Sequence, residues 1–213
     1  MKIVDLSQTL ENGMSVFPGA PEPSFEMLGN VPEGDVYQLT KFEMTTHTGT
    51  HMDCNTHVQP EGYCTDTEQL DIFIGKGVVI DCSGYDNGEE IGIEIFNGMN
   101  MEDKEFVLLY CDWAKLWGQD KFWGDYPYVS MEVIEYLAEN DRIKGIGLEY
   151  ASLDRLKEEE LPLHKRLMQE KKTVIECLKN LDQLIGKDFT FMAMPLKFKS
   201  GDGSPVRAIA LVE

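Results

Sequence analysis

The residues most able to do chemistry lie close together. The stretch His47-Thr48-Gly49-Thr50-His51-Met52-Asp53-Cys54-Asn55-Thr56-His57 holds three of the four histidines of the chain within 11 residues. Imidazole and carboxylate are ligands for divalent cations of borderline and hard character. Two neutral imidazoles and one carboxylate, as in His47, His51 and Asp53, hold a cation while leaving positions open to water. A cation held in this way acidifies water to give a nucleophile near neutral pH, and a further histidine nearby can move protons. The predicted chemistry is metal-assisted attack by water.

That chemistry constrains the backbone. On a helix, positions 47 and 51 share a face, but position 53 lies six residues on, about 240° around. On an extended chain, 47, 51, 53 and 57 have the same parity and point to one side. A straight strand would still set the Cα atoms of 47 and 51 roughly 13 Å apart, too far for two ligands of one metal at about 2 Å. The chain must curve or bulge, and Gly49 is the residue that most readily permits it. Alternation points Cys54 away from such a site, so this thiol reads as structural, as does Cys177.

Other segments supply the frame. Pro18, Pro21, Pro23 and Pro32 mark an irregular stretch with one short strand near Phe25 to Leu28. Val36 to Thr46 changes parity midway, which predicts a bulged strand. Val78 to Ile80 and Phe106 to Tyr110 are short apolar runs of β-formers and predict buried strands. Ser130 is placed to cap a helix reaching about Asn140, with Val133, Ile134, Leu137 and Ala138 on one face. A strand is expected over Ile143 to Tyr150. A second helix is expected from Leu178 to Ile185, ended by Gly186. Two closing strands, Phe189 to Phe198 and Val206 to Val212, are expected to be joined as a hairpin through residues 199–204. Interleaved strands and helices over 213 residues predict one α/β or α+β domain.

Composition narrows the partners. Asp and Glu outnumber Lys and Arg 38 to 19, a formal charge of −19 that disfavours nucleic acid and anionic membrane as ligands. No apolar run approaches the roughly 20 residues of a membrane span, and the N-terminus has no secretory pattern. Five cysteines without a C-x-x-C fit reduced thiols in cytoplasm better than a disulfide framework.

The histidine stretch resembles the H-x-G-T-H-x-D-x-P-x-H signature of the cyclase-like metal hydrolases that include bacterial kynurenine formamidase. It matches at His47, Gly49, Thr50, His51, Asp53 and His57, and departs at Asn55, where proline is usual. Similarity extends through Phe17-Pro18-Gly19, Gly77 to Asp81, Gly145 to Asp154 (with Glu149 in place of aspartate), His164, Glu176, Pro195-Leu196-Lys197 and Gly203 to Ala208. The resemblance implies a swivelling β/β/α fold and a homodimer. It implies His47, His51 and Asp53 on a first metal, with Asp53 and Glu176 bridging to a second completed by His164. His57 would be the acid/base residue, and Phe17 would stack on an aryl substrate. The metal would be zinc, with manganese as the alternative. The expected activity is cleavage of an amide C–N bond in a small molecule, with N-formylkynurenine the first candidate. Hydrolysis of another cyclic amide or lactone, and a non-catalytic metal-binding role, are the alternatives.

Overall fold

The apolar runs do become strands, and their neighbours explain why they do not alternate. A computed structural model describes residues 1–212. In chain order the elements are β1 (Lys2–Asp5), β2 (Ser24–Gly29), β3 (Leu39–Glu43), β4 (His51–Asp53), β5 (Ile74–Asp81), β6 (Glu90–Ile91), β7 (Phe106–Tyr110), β8 (Tyr128–Val129), α1 (Met131–Glu139), β9 (Gly145–Leu148), α2 (Pro162–Gln169), β10 (Thr173–Glu176), β11 (Phe189–Met192), β12 (Gly203–Pro205) and β13 (Ile209–Val212). On β7, Val107 and Leu109 enter one core with α1 and α2, while Phe106 and Leu108 enter a second core on the opposite face. A strand buried on both faces gains from apolar side chains at every position.

The main sheet has nine strands in the order β1-β13-β11-β5-β7-β9-β10-β4-β12. Its centre, β5-β7-β9-β10, is parallel, and both flanks are antiparallel. Only residues 206–208 separate β12, at one edge, from β13, near the other. Four residue steps span at most roughly 14 Å, so the sheet must curl until its two edges meet. Bonds from the end of β1 to the β4–β12 edge complete the closure: Gln8 N donates to Thr50 Oγ1, and the Ser7 hydroxyl donates to Val206 O. The result is a mixed α/β domain, as the sequence predicts, and its sheet is curled.

Helix α1 forms where expected. The Ser130 hydroxyl accepts from Val133 N, and Val133, Ile134, Leu137 and Ala138 are buried. The helix expected over Leu178 to Ile185 does not form; a single 3-10 turn, Leu181–Leu184, takes its place. Leu178 N is already committed to Leu148 O in the sheet, and Cys177 and Asn180 are left-handed at φ 57 and 60. The i, i+3 spacing of Leu181 and Leu184 is served by one tight turn. The two closing strands do pair antiparallel as expected, Phe189–Met192 of β11 on Ile209–Val212 of β13, and the same register reaches Pro195 and Val206. Their connection is not a simple hairpin loop, because Gly203–Pro205 leave it as β12 and pair with β4 at the far edge. The register shift predicted for the 36–46 strand falls on its partner β2, between Met27 and Gly29. Two elements with weak sequence signals, α2 and β10, carry His164 and Glu176. Among the described residues no helix is long and apolar enough to cross a membrane.

Candidate metal centre

The histidine stretch is neither helix nor straight strand. Gly49 adopts φ +64, and a Cβ there would meet Leu10 Cδ2 at 2.7 Å. Its left-handed turn brings His47 back over β4, as the spacing required. Thr50 anchors the turn: its hydroxyl donates to Cys177 O at 2.7 Å and accepts from Gln8 N at 2.8 Å. On β4, His51 and Asp53 point to the same side, and the antiparallel register sets Glu176 of β10 opposite His51. A 3-10 turn, Asn55–His57, then carries the fourth residue of the motif over the site.

Each imidazole is held by one nitrogen so that the other faces the carboxylates. His51 Nδ1 bonds to Gly49 O at 2.9 Å, leaving Nε2 at 3.4 Å from both Asp53 Oδ1 and Glu176 Oε2. His164 Nδ1 donates to Asp154 Oδ2 at 2.7 Å, leaving Nε2 at 3.4 Å from both Asp53 Oδ2 and Glu176 Oε1. Asp154 also accepts from Leu163 N and His164 N, fixing the first turn of α2. His47 Nδ1 lies 2.7 Å from Asp53 Oδ1, and its Nε2 lies 3.0 Å from Asp202 Oδ2. Two buried carboxylates are thus flanked symmetrically by two buried imidazoles, with a third imidazole at the open side.

The electrostatics follow from burying these groups together. Burial opposes charge on His47, but Asp53 and Asp202 outweigh it and raise the imidazole to about 9. Burial is likewise outweighed at His51 by Glu176 and Asp53, and at His164 by Asp154, Asp53 and Glu176, so both imidazoles are raised. Burial opposes ionisation of Asp53 and Glu176, yet the imidazoles hold both carboxyls below the usual range. Imidazolium protons therefore balance the carboxylates at the positions where a cation would do so. The donors fit a divalent cation. One ligand atom from each of His47, His51 and Asp53 can lie within 4.8 Å of the others, and the same holds for Asp53, His164 and Glu176. Nitrogen and oxygen donors of this kind suit zinc and its first-row neighbours.

His57 differs from its neighbours. Its ring lies 4.2 Å from that of His47 and 6.1 Å from that of His164, centroid to centroid. Burial lowers its imidazole, and the nearby carboxylates do not reverse the effect. Asn55, where proline was expected, turns its amide toward α2 and donates to Met168 O, tying the motif to the helix that carries His164. Glu149 lies outside the cavity. It accepts from Cys111 N at 3.0 Å and Trp113 N at 3.1 Å, and burial raises its carboxyl to about 7. Cys54 is buried in the second core, away from the cavity, whereas Cys177 contributes to the cavity wall.

The centre forms the floor of a cavity of about 450 Å³. Phe17 lines its mouth at 41% exposure, edge-on to Trp123 with centroids 6.0 Å apart. Sequence reasoning missed Trp123 and Asp202. Trp123 follows an aromatic-rich segment beginning at Trp113, which is the one signal that points to it. Asp202 is 155 positions from His47 and has no local signature.

A curled α/β sheet gathering three imidazoles and two carboxylates beneath an aromatic-walled cavity defines the class of metal-dependent hydrolases acting on small molecules. Similarity to known proteins narrows the class. The family model described as "Putative cyclase" matches residues 4–155, and the chain belongs to this family. A protein named kynurenine formamidase from Bacillus cytotoxicus is 30% identical over 206 residues, which cover 97% of this chain and 95% of that protein. Isatin hydrolase A from Labrenzia aggregata, solved bound to benzyl benzoate, superposes with a TM-score of 0.85 at 31% identity, covering 98% of this chain and 93% of that one. Isatin hydrolase A from Ralstonia solanacearum gives a TM-score of 0.87 at 26% identity, covering 100% and 92%.

Proposed function

We propose that residues 1–213 act as one hydrolase domain that cleaves an amide C–N bond, with N-formylkynurenine the first candidate substrate. The observation that carries this reading is the pair of buried carboxylates, Asp53 and Glu176, set between the Nε2 atoms of His51 and His164 at the floor of an aromatic cavity. His47, His51 and Asp53 would hold one divalent cation, and Asp53, Glu176 and His164 a second, zinc before manganese. When bound, such cations supply Lewis-acid polarisation of a carbonyl and an acidified water. His57 is the acid/base residue. Its lowered imidazole is neutral near pH 7, and with Nδ1 toward Asp202 at 3.9 Å, Nε2 is the atom left to accept a proton and return it to the leaving nitrogen. Phe17 and Trp123 offer an edge-to-face wall against which an aryl ring packs.

The test is hydrolysis of N-formylkynurenine by zinc- or manganese-loaded protein beside a chelated control. Chelator-sensitive turnover with kcat/KM of about 10⁴ M⁻¹s⁻¹ or more is expected. No turnover by protein shown to carry metal overturns this substrate. A second reading, opening of a cyclic amide or lactone, draws on the likeness to proteins named isatin hydrolase, and isatin in the same panel separates the two.

The active form we propose is a cytoplasmic homodimer. All five cysteines are free thiols, as a reducing compartment requires. The β2–β3 hairpin and its loop expose Met27, Leu28, Val31, Tyr37, Leu39 and Phe42, an apolar set that a second copy would cover. Sedimentation of the wild type as a monomer would exclude the dimer.

A further inference from the structure

The cavity has one feature the hydrolytic centre does not use. Residues 155–160 run between Asp154, which holds His164, and α2, and Arg155, Leu156, Glu158 and Glu159 line part of the cavity. Glu158 N donates to Arg155 O at 2.8 Å, closing a turn that sets Arg155, Glu158 and Glu159 together around the opening. Imidazoles aside, Arg155 is the sole cation among the residues lining this cavity. Its guanidinium lies over the Tyr128 ring, 4.8 Å from the centroid. A cation–π contact of this kind holds the charge at the ring and is not a hydrogen bond to an acceptor. The Arg155 guanidinium donates to no acceptor among the described residues, although two glutamates stand three and four positions on. By contrast, Arg166 is paired with Glu135 and Glu170, and Arg207 with Asp5.

The charge pattern decides what this rim can take. A bare anion meets one guanidinium and two carboxylates. A bare cation meets the carboxylates but also the guanidinium. Only a group carrying both signs a few ångströms apart finds an opposite charge at each end, and its net neutrality avoids repulsion by a chain of formal charge −19.

We propose that Arg155, with Glu158 and Glu159, is the specificity-determining set that binds a zwitterionic α-amino-acid tail on the substrate, Arg155 taking the carboxylate and the glutamates the ammonium. This rests on the amide-hydrolase reading and deepens it. The aryl ring lies against Phe17 and Trp123, the scissile amide faces the histidine-carboxylate floor, and the tail reaches back to the rim.

The experiment compares kcat/KM for N-formylkynurenine with that for 2′-formamidoacetophenone, the same formanilide without the amino-acid tail, on metal-loaded protein. Arg155→Ala is expected to lower the ratio of the two values about tenfold, the scale of one charge-assisted hydrogen bond in a partly exposed setting. Arg155→Lys, which keeps the charge but loses the planar fork, falls between. Glu158→Gln combined with Glu159→Gln lowers the ratio less. An unchanged ratio in Arg155→Ala overturns the proposal while leaving the hydrolase reading intact. If neither compound is hydrolysed, the formamidase reading fails, and calorimetric binding decides the rim on its own. Wild type must then bind kynurenine more tightly than 2-aminoacetophenone, with the difference lost in Arg155→Ala. Equal affinities, or no binding of kynurenine, overturn the proposal.

Discussion

Replacing Glu149 with glutamine isolates the effect of one buried charge outside the metal centre. Glu149 is 2% exposed, and among the described residues its hydrogen-bond donors are the amides of Cys111 and Trp113. Burial raises its carboxyl from 4.5 to about 7, against the stabilising pull of those two amides. A carboxyl whose folded-state value exceeds its unfolded one contributes stability that is fully present below the unfolded value and is lost as pH rises through the folded one. The window here runs from 4.5 to about 7. At about 1.4 kcal/mol per unit, the folded protein loses about 3 kcal/mol across it. Glutamine is neutral in both states and keeps a carbonyl acceptor for the same amides. Any constant cost of the substitution cancels when the same pair of proteins is compared at two pH values. Urea unfolding of metal-free wild type and Glu149→Gln at about pH 5 and about pH 8 should therefore show the stability of the variant relative to wild type rising by about 2–3 kcal/mol, the part of the loss that falls above pH 5. A flat difference, or one that falls with pH, would refute the assignment of a buried, uncompensated charge to Glu149.

Other perturbations act nearer the floor of the cavity. Asp154→Asn removes the carboxylate that fixes His164 Nδ1, and metal affinity should fall about 10- to 100-fold in a competition titration against a chromophoric chelator; unchanged affinity would remove Asp154 from its positioning role. Gly49→Ala forces a Cβ against Leu10 at a left-handed position. It should cost about 1–3 kcal/mol of stability, read from the urea midpoint, and a midpoint equal to wild type would mean the turn is not constrained. His57→Ala should lower kcat about 10²- to 10⁴-fold with metal content by mass spectrometry unchanged, and full turnover would exclude an acid/base role.

Particular residues show where sequence reading succeeds. His47, Gly49, His51 and Asp53 lie within one short segment, so their joint chemistry and the need for a turn at Gly49 follow from the spacing alone. Ser130 and the apolar face of α1 are equally local, since capping and helical periodicity act over a few residues. The buried runs at 78–80 and 106–110 announce strands because few other structures tolerate such density of β-branched and aromatic side chains.

What the tertiary structure decided is what brings distant segments together. His164 sits on a helix of eight residues and Glu176 on a strand of four, elements too short for periodicity to reveal. Residue types and spacing gave no reason to join them to His51; family resemblance suggested it, and the register of β10 on β4 is what sets Glu176 opposite His51. Asp202 reaches His47 only because β12, which follows it, lies beside β4, and Trp123 reaches the cavity from a separate segment of the chain. The expected helix at 178–185 failed for the same reason. Its i, i+3 pattern is a local signal, while the sheet hydrogen bond that takes up Leu178 N comes from Leu148, thirty residues earlier in the chain. Local sequence determined the ligand types, the turn at Gly49 and the strongest strands. That Glu176 faces His51 and Asp53 faces His164 was decided by strand register and sheet closure, because these pairings join groups over a hundred residues apart and no local pattern encodes them.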